Sequence, residues 1–496
     1  MKGNTMTSPD DSSTHDATTR HTIRLPGPAL AMCYLGVVML PLAVALFGHA
    51  APSDRWERAA AALGMVAVIA MAVQFVTSGR FNIVSRHLGI DRVMAFHKIA
   101  AWWLLVAVVL HPLIYVLPTW LEAPALGRER LAFYLSSPHY RSGVVAWAAF
   151  ALLLITSLLR ERLPWRYETW RITHLPLGFV ALMGSVHHAL TAGRFTAASG
   201  LPPLWLATGA AVAVVVGVLY GWRWLKLHRR PWTLARVSPI AERMWELHLE
   251  PAPGTPPLVY SAGQFVWLTV GRRRFPLFDH PFSLSDSPQD PGVKLIIKEA
   301  GDFTSKVGAL VPGTPVGVDG PFGEFVLEGT DAEAVILIAG GVGIAPIMGL
   351  LRDMVAKGER RPVRLVYAVG DPANFACLDE IDAARARLDL HVLLLSETPA
   401  PGYGGEIGLL DRDRLPSLLE GLDPVQSVVL MCGPGGMVTA VSDALLDAGM
   451  PMHRIIYERF DYAAGPSRLD RRRTRRLAAI GGGLAVGVAM FALATS

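Results

Sequence analysis

Apolar residues in the first half of the chain gather into six long runs that are nearly free of charge. Each run approaches the roughly 20 residues that a helix needs to cross about 30 Å of hydrocarbon. The pattern predicts a six-helix transmembrane bundle over residues 28–228, preceded by a Ser-, Thr- and Asp-rich tail, residues 1–27, that is expected to be disordered. The predicted helices are Pro28–Ala50, Ala59–Thr77, Val93–Leu117, Val144–Leu159, Ile172–Leu190 and Leu201–Leu225.

After residue 230 the pattern changes to short apolar runs separated by glycine and proline turns. The β-rich runs Phe265–Val270 and Val293–Lys298 predict an antiparallel β-barrel over residues 231–329. From Ala334 onward, apolar strands alternate with helical stretches, which predicts an α/β domain with a parallel sheet over residues 330–462. The fold class is therefore a multidomain membrane protein with two soluble domains behind its bundle.

A last apolar run, Leu477–Thr495, lies in the C-terminal region of residues 463–496, behind the basic block Arg471–Arg476. It is a candidate seventh transmembrane helix. Four glycines within it weaken that interpretation, and a tail that lies on the membrane surface is the alternative.

Composition supports a membrane protein, because 52% of the residues are hydrophobic and only 18% are charged. The net charge of +5 does not indicate nucleic-acid binding, since Lys and Arg cluster beside the apolar runs. Their placement puts the N-terminus and the soluble half on the cytoplasmic side of the cell inner membrane. Three widely separated cysteines argue against disulfides and thiolate metal sites.

Four histidines fall at matching positions on two predicted helices. His97 and His111 on the third helix are fourteen residues apart, as are His174 and His188 on the fifth. Fourteen steps fall only about 40° short of four full turns, so each pair shares a helix face, with about 21 Å between its members. The two helices run in the same direction, so His97 can face His174 near the cytoplasm and His111 can face His188 near the outer side.

Paired imidazoles at membrane depth suit the two axial positions of a low-spin haem, and intramembrane ionisable groups are usually functional. The sequence therefore predicts two haem b groups. His187 competes with His188. Its thirteen-residue spacing turns it about 140° away in an ideal helix, although Pro176 can distort that helix.

Polar residues near the outer loops carry no predicted ligand role. His49 and His139 are interpreted as ordinary loop residues. For Arg141 and Arg194, anchoring at the membrane interface is the simpler interpretation, and attraction of an anionic acceptor is the alternative.

Three stretches in the barrel region suit FAD. The first stretch lies at a strand end and consists of His280, Pro281, Phe282 and Ser283. A hydroxyl here can form a hydrogen bond with the edge of the isoalloxazine ring, while the proline and the aromatic side chain pack against the ring. A second stretch offers a glycine, a helix start and a hydroxyl for pyrophosphate, and includes Lys298, Gly301 and Thr304. The tight turn Gly320–Gly323 follows.

The α/β region carries a glycine loop between an apolar strand and a helix, where the backbone can approach dinucleotide phosphates. Its residues are Gly340, Gly341, Gly343 and Pro346. Cys432, Gly433 and Pro434 close a later strand, where a nicotinamide ring can reach the flavin. A small buried thiol is the alternative interpretation of Cys432, and no base accompanies it as a nucleophile.

With these motifs in place, the soluble half resembles the ferredoxin–NADP reductase superfamily. The chain from about Pro28 to Tyr462 resembles the ferric reductase/NADPH oxidase family, bacterial branch. The resemblance implies two haems held by histidines of the third and fifth helices, with FAD and NAD(P)H in the soluble half. It also implies a terminal aromatic that stacks on the flavin, for which Phe460 is the candidate.

Two features depart from the family pattern. An arginine that contacts the 2′-phosphate is often found where this chain has Gly370, which leaves NADH and NADPH both open as donors. About thirty residues also follow the terminal aromatic, where family chains tend to stop.

The expected function is electron transfer from cytoplasmic NAD(P)H through FAD and two haems to a small acceptor outside, ferric chelate or dioxygen. The alternative is an electron-supply subunit that feeds a periplasmic protein. Membrane lipid is the other expected partner, and nucleic acid is not one.

Overall fold

The computed structural model describes residues 27–48, 54–78, 90–160, 162–196, 200–271, 275–459 and 468–494. The predicted N-terminal tail, apart from Gly27, and the candidate flavin-stacking residue Phe460 lie outside these ranges.

The first half of the chain is helical, and all six predicted helices are present. Among the described residues, six helices are long and apolar enough to cross a membrane. The bounds are α1 Gly27–Phe47, α2 Arg55–Val76, α3 Ile90–Glu122, α4 Pro124–Ser136, α5 Arg141–Leu158, α6 Tyr167–Ala192, α7 Leu201–Val216 and α8 Arg223–Arg229, with a π-helical segment Gly217–Trp222 joining the last two.

Helix α4 was not predicted from the sequence. Charged residues at Arg128, Glu129 and Arg130 interrupt its apolar positions, so no long hydrophobic run marks it. Pro124 at its first turn starts the helix, since proline's fixed φ suits that position. The helix lies beside the end of the bundle that is remote from the soluble half, which we call the distal end; the opposite end is the domain end.

Small side chains let the bundle pack closely. Helix α2 is the most enclosed, with Ala60, Ala62 and Ala67 almost inaccessible. Small residues at helix contacts allow backbones to approach, which is how helices associate in lipid. The two histidine-bearing helices, α3 and α6, pack beside α2 in this arrangement.

The first soluble domain is a six-stranded antiparallel sheet in the order β4-β3-β6-β1-β2-β5. Its strands are β1 Trp232–Ala241, β2 Met244–Pro251, β3 Phe265–Val270, β4 His280–Ser283, β5 Val293–Lys298 and β6 Pro315–Phe322. A bridge between Leu284 and Leu295 brings the two edges of the sheet together, which curls it into an open barrel. The predicted antiparallel domain is thus confirmed.

The second domain is a six-stranded parallel sheet in the order β10-β9-β8-β7-β11-β12. Its central strand β7 is buried throughout, as expected for a parallel strand covered by helices on both faces. The strands are β7 Ala334–Gly340, β8 Val363–Val369, β9 Leu390–Ser396, β10 Glu406–Ile407, β11 Ser427–Gly433 and β12 Ile455–Arg459. The helices are α9 Ile344–Lys357, α10 Leu378–Arg385, α11 Leu415–Leu419 and α12 Gly435–Asp447.

The C-terminal run forms a helix, α13 Arg468–Leu493, that packs along α1, α2 and α3. Three of the four glycines that weakened the prediction, Gly481, Gly483 and Gly487, form its contact face. A Cβ at Gly481 would lie 2.1 Å from the Trp103 ring, and one at Gly487 would lie 2.4 Å from Met39. At the distal end Phe491 packs edge-on against Phe195, with ring centres 5.7 Å apart.

We expect a larger side chain at Gly481 to displace α13 from the bundle. Gly481→Leu forces Trp103 aside, and overpacking of this kind costs about 1–3 kcal/mol, or about 5- to 150-fold in the docking equilibrium. The measurement is disulfide yield between cysteines placed at Leu35 and Gly483, whose side-chain positions touch, in a Cys33→Ala background.

The matched control is Gly482→Leu, because a Cβ at Gly482 would have no neighbouring atom within 4 Å. Equal disulfide yields in the two leucine variants would show that the glycine face does not hold α13.

Candidate functional site

The four predicted histidines meet in two pairs inside the bundle. The ring centres of His97 and His174 are 6.5 Å apart, with an interplanar angle of 49°. Those of His111 and His188 are 6.4 Å apart, with an angle of 85°. The first pair lies toward the domain end and the second toward the distal end, so the structure brings together the residues that the helical spacing paired.

Hydrogen bonds orient one ring of each pair. Nδ1 of His111 lies 2.7 Å from the carbonyl oxygen of Ala60, which can only accept, so Nδ1 carries the proton. Nδ1 of His174 lies 3.1 Å from the Ser157 hydroxyl, which already donates to the Leu153 carbonyl. In both rings Nε2 is therefore left unprotonated and available to a metal.

Two glycines make room for the distal rings. A Cβ at Gly64 on α2 would lie 2.7 Å from the His111 ring, and one at Gly143 on α5 would lie 2.8 Å from Nδ1 of His188. That nitrogen and Nδ1 of His97 are buried without a hydrogen-bond partner among the described residues.

His187 does not join the distal pair. Its side chain is exposed on the outside of the bundle, whereas the neighbouring His188 faces His111. The helix continues regularly through Pro176, so the ideal-helix spacing argument applies.

The domain end of α6 docks on the barrel domain through a buried ion pair. Nη1 of Arg171 lies 2.9 Å from the carboxylate of Asp279, and both side chains are buried. The guanidinium also donates to the carbonyl oxygens of Asp279, at 3.1 Å, and Pro276, at 2.8 Å. Arg171 precedes His174 by one helical turn, and Asp279 immediately precedes His280.

A second buried aspartate repeats this contact. Asp319 on β6 lies 3.5 Å from the guanidinium of Arg223 and 3.2 Å from the amine of Lys226, both on α8. Cations that the sequence analysis explained by membrane orientation therefore also bind the barrel domain.

The predicted flavin motif lies at this junction. His280 stacks on Phe303, with ring centres 4.0 Å apart, and its Nε2 lies 3.3 Å from Glu168 of α6. Burial lowers the pKa of His280, although the Glu168 carboxylate opposes the shift, so the ring is neutral at pH 7. Ser283 is buried at the end of β4, and Pro281 and Phe282 line the strand between them.

The predicted pyrophosphate stretch forms a compact turn. The hydroxyl of Thr304 accepts hydrogen bonds from the backbone N–H groups of Ala300 and Gly301, at 2.8 and 2.9 Å. This hydroxyl therefore shapes the loop. Open space surrounds Gly301, and Lys298 ends the neighbouring strand β5.

The two nicotinamide motifs converge although about ninety residues separate them in sequence. A Cβ at Gly343 would lie 2.0 Å from the carbonyl oxygen of Cys432, and one at Gly433 would lie 3.0 Å from Cα of Gly340. Gly341 has a φ of +54°, which favours glycine. The loop lies at the carboxyl end of β7, where the strand order reverses, and Pro346 is tolerated in the first turn of α9. Pro434 precedes α12 directly.

Arg352 of α9 holds the two soluble domains together. It donates to the carbonyl oxygen of Ser285 at 2.6 Å and to the Glu246 carboxylate at 3.0 Å, and it pairs with Glu380. Ser285 ends the segment that begins with the flavin motif, so the contact aligns that segment with the glycine loop.

Three families match successive parts of the chain. Residues 63–185 match the ferric reductase like transmembrane component, residues 230–325 an FAD-binding domain, and residues 337–443 an oxidoreductase NAD-binding domain. These ranges lie within the bundle, the barrel domain and the parallel-sheet domain respectively, and the first covers the histidine-bearing helix α3 and most of α6.

Curated relatives match the soluble half. A flavohemoprotein of Deinococcus radiodurans is 29% identical over 50% of this chain and 61% of its own length. The reductase component of a propane 2-monooxygenase from Rhodococcus jostii is 32% identical over 46% and 62%. The chain thus spans less than two thirds of these relatives.

Solved structures also align with this half. The Amycolatopsis cytochrome P450 reductase GcoB is 25% identical over 47% of this chain and 70% of its own, with a TM-score of 0.41. The FAD/NAD-binding domain of a nitric oxide dioxygenase from Vibrio cholerae is 20% identical over 47% and 98%, also with a TM-score of 0.41.

The bundle with its FAD- and NAD-binding domains makes this chain a multi-pass membrane protein with the domain architecture of the ferric reductase/NADPH oxidase family.

Proposed function

We propose that this chain transfers electrons from cytoplasmic NAD(P)H, through FAD and two haem b groups, to an acceptor outside the cell inner membrane. The observation that carries the proposal is the line of sites across the molecule. A nicotinamide loop, a flavin motif and two histidine pairs follow one another from the parallel sheet to the distal end of the bundle.

The histidine pairs fit a haem iron. Half of the 6.4 Å between the ring centres of His111 and His188 is 3.2 Å. That length accommodates a metal–nitrogen bond of about 2 Å together with the distance from the nitrogen to the ring centre. His97 with His174 would hold the inner haem, and His111 with His188 the outer one. The hydrogen bonds of His111 and His174 supply the outer-shell support that metal-binding imidazoles usually have.

The barrel residues fit a flavin beside the inner pair. Ser283 and the backbone around it offer hydrogen bonds to the ring edge, and the His280–Phe303 stack walls one side. The glycine loop at Gly341 and Gly343 leaves backbone space for dinucleotide phosphates. Cys432, in contact with Gly343, borders the nicotinamide, and Phe460 is proposed to cover the flavin.

When bound, FAD splits a hydride into single electrons and each haem relays one electron at a time. The chain's own residues fix the geometry. Arg171 and Asp279 hold the flavin motif against the helix that carries His174, and Arg352 holds the glycine loop against the flavin motif. Apolar helices keep water from the path between the two pairs.

The acceptor is a ferric chelate or dioxygen in this proposal. Either takes one electron without an acid–base pair at the outer face. Purified protein supplied with NADH or NADPH, with and without ferric citrate, oxygen and superoxide dismutase, tests donor and acceptor together. Failure of both acceptors to support NAD(P)H oxidation would instead favour an electron-supply subunit with a protein partner.

We expect His97→Ala and His188→Ala each to reduce the haem content from two per chain to one. Each variant would remove one of the two imidazoles that hold a haem, and we expect the single remaining imidazole to retain it too weakly. Haem is measured per protein chain with the reduced-minus-oxidised spectrum.

His187→Ala is the matched control, because His187 is adjacent to His188 yet faces outward. It should retain both haems. Two intact haems in both the His97 and the His188 variants would overturn the ligand assignment.

We expect Arg171→Gln to uncouple the flavin from the inner haem. Loss of one partner leaves a buried, unpaired Asp279, which costs about 3–5 kcal/mol and loosens the contact that holds the flavin motif against the helix of His174. In stopped-flow experiments, flavin reduction by NAD(P)H should be retained while haem reduction slows. Asp279→Asn should give the same split.

Arg166→Gln is the control, since its ion pair with Asp302 spans 3.7 Å between side chains that are about 70% exposed. Its haem reduction should match that of the unmodified protein. An Arg171 variant that reduces haem at the unmodified rate would show that this pair does not position the flavin.

A further inference from the structure

A cavity of about 690 Å³ opens on the outside of the bundle between α5 and α6. Its lining runs from Phe179 to Thr191 on α6, twelve residues or about 18 Å along the helix axis. The two helices approach closely where a Cβ at Gly184 would lie 3.1 Å from that of Ala146. Larger side chains on either side of this contact keep the two helices apart, and the groove lies in the space between them.

The cavity has an apolar floor and a polar rim. The floor includes Val145 and Val180, which are 48% and 43% exposed on the lipid-facing surface. The rim, at the distal end, carries His139, Arg141 and His187. Among the described residues, none of these three side chains makes a hydrogen bond or an ion pair.

The rim adjoins the outer histidine pair. His187 immediately precedes His188 in α6. On the facing side, His139 precedes Tyr140, whose ring centre lies 6.2 Å from that of His188. Gly143, one turn further along, touches the His188 ring. A molecule in the cavity is therefore separated from the outer pair by a single layer of protein.

We propose that this cavity binds a lipid-soluble quinone, with its ring at the rim and its tail along the floor. The length of the groove and its apolar floor suit an isoprenoid or alkyl tail and do not suit a hydrophilic ferric chelate. Arg141 and the imidazoles can donate to the quinone carbonyl oxygens. The rim also lies beside the outer histidine pair, a position that a reducible ring can use and a phospholipid headgroup cannot.

The redox step uses the electrons of the proposed function, on which it rests, and adds a quinone to the ferric chelate and dioxygen named there as acceptors. Two electrons arrive singly from the outer pair, and two protons are taken up from the water at the distal end. Both quinone carbonyl oxygens become hydroxyls. The sum is NAD(P)H + H⁺ + quinone → NAD(P)⁺ + quinol.

Two variants and one control test the site. Val180→Trp fills the floor, and His187→Leu removes a rim donor. Leu152→Trp adds the same ring to α5 at another lipid-facing position, 49% exposed and outside the lining. Haem content and NAD(P)H-dependent haem reduction should be unchanged in the Leu152 variant, which controls for folding.

Binding is measured by calorimetric titration of a decyl-substituted benzoquinone into the oxidised full chain, in mixed micelles of detergent and phosphatidylcholine. We expect saturable binding that weakens about tenfold or more in Val180→Trp and His187→Leu but not in Leu152→Trp. In anaerobic protein reduced with NAD(P)H, the same quinone should reoxidise the haems. The reoxidation rate should fall in Val180→Trp and His187→Leu but not in Leu152→Trp.

Absence of saturable binding overturns the proposal, and so does equal binding by all four proteins. A phospholipid that fills the groove would give one of these two results. Binding that depends on Val180 and His187 in a chain whose haems NAD(P)H cannot reduce supports the site and refutes the proposed function. Normal haem reduction without quinone binding or reoxidation refutes the site alone.

Discussion

The buried ion pair between Arg171 and Asp279 is the contact on which the arrangement of sites depends. Burying both charges is costly, and the cost is offset only because the guanidinium also satisfies two backbone carbonyl oxygens of the barrel domain. The pair joins two segments with different tasks. One turn of helix links Arg171 to His174, and one peptide bond links Asp279 to His280, so a shift of either segment changes the separation between the flavin motif and the inner histidine pair.

Beyond this junction, regular helix geometry sets the path. Fourteen residues of α3 and of α6 separate the inner from the outer histidines, and no loop intervenes. Glycines and alanines on neighbouring helices determine how closely the rings are enclosed, as Gly64 and Gly143 do for the distal pair. The soluble half uses the same device, since Gly343 can touch the Cys432 carbonyl only because it lacks a side chain.

The sequence alone was sufficient to predict features that depend on the regular geometry of one helix. Runs of about twenty apolar residues marked the six helices, and helical periodicity paired His97 with His174 and favoured His188 over His187. It was insufficient where a contact joins distant segments. Arg171 was explained by membrane orientation because its partner lies 108 residues away, and the glycines of α13 were weighed as poor helix formers because their partners on α1 and α3 were unknown. Helix α4 was missed because charges interrupt its apolar pattern.

The two ends of the bundle differ in how the histidine pairs are covered, and this difference bears on the proposed direction of electron transfer. At the domain end, the barrel covers α6 and α8 with two buried aspartates, so a small molecule has little room beside the inner pair. At the distal end, Tyr115 and Tyr140 contact the outer pair, and the sequence neighbours of Tyr140, His139 and Arg141, line an open groove. The inner pair is thus covered by a docked protein domain, while the outer pair lies beside an open groove. This asymmetry, more than any property of the histidines themselves, supports the proposed direction of electron flow from the soluble half outward.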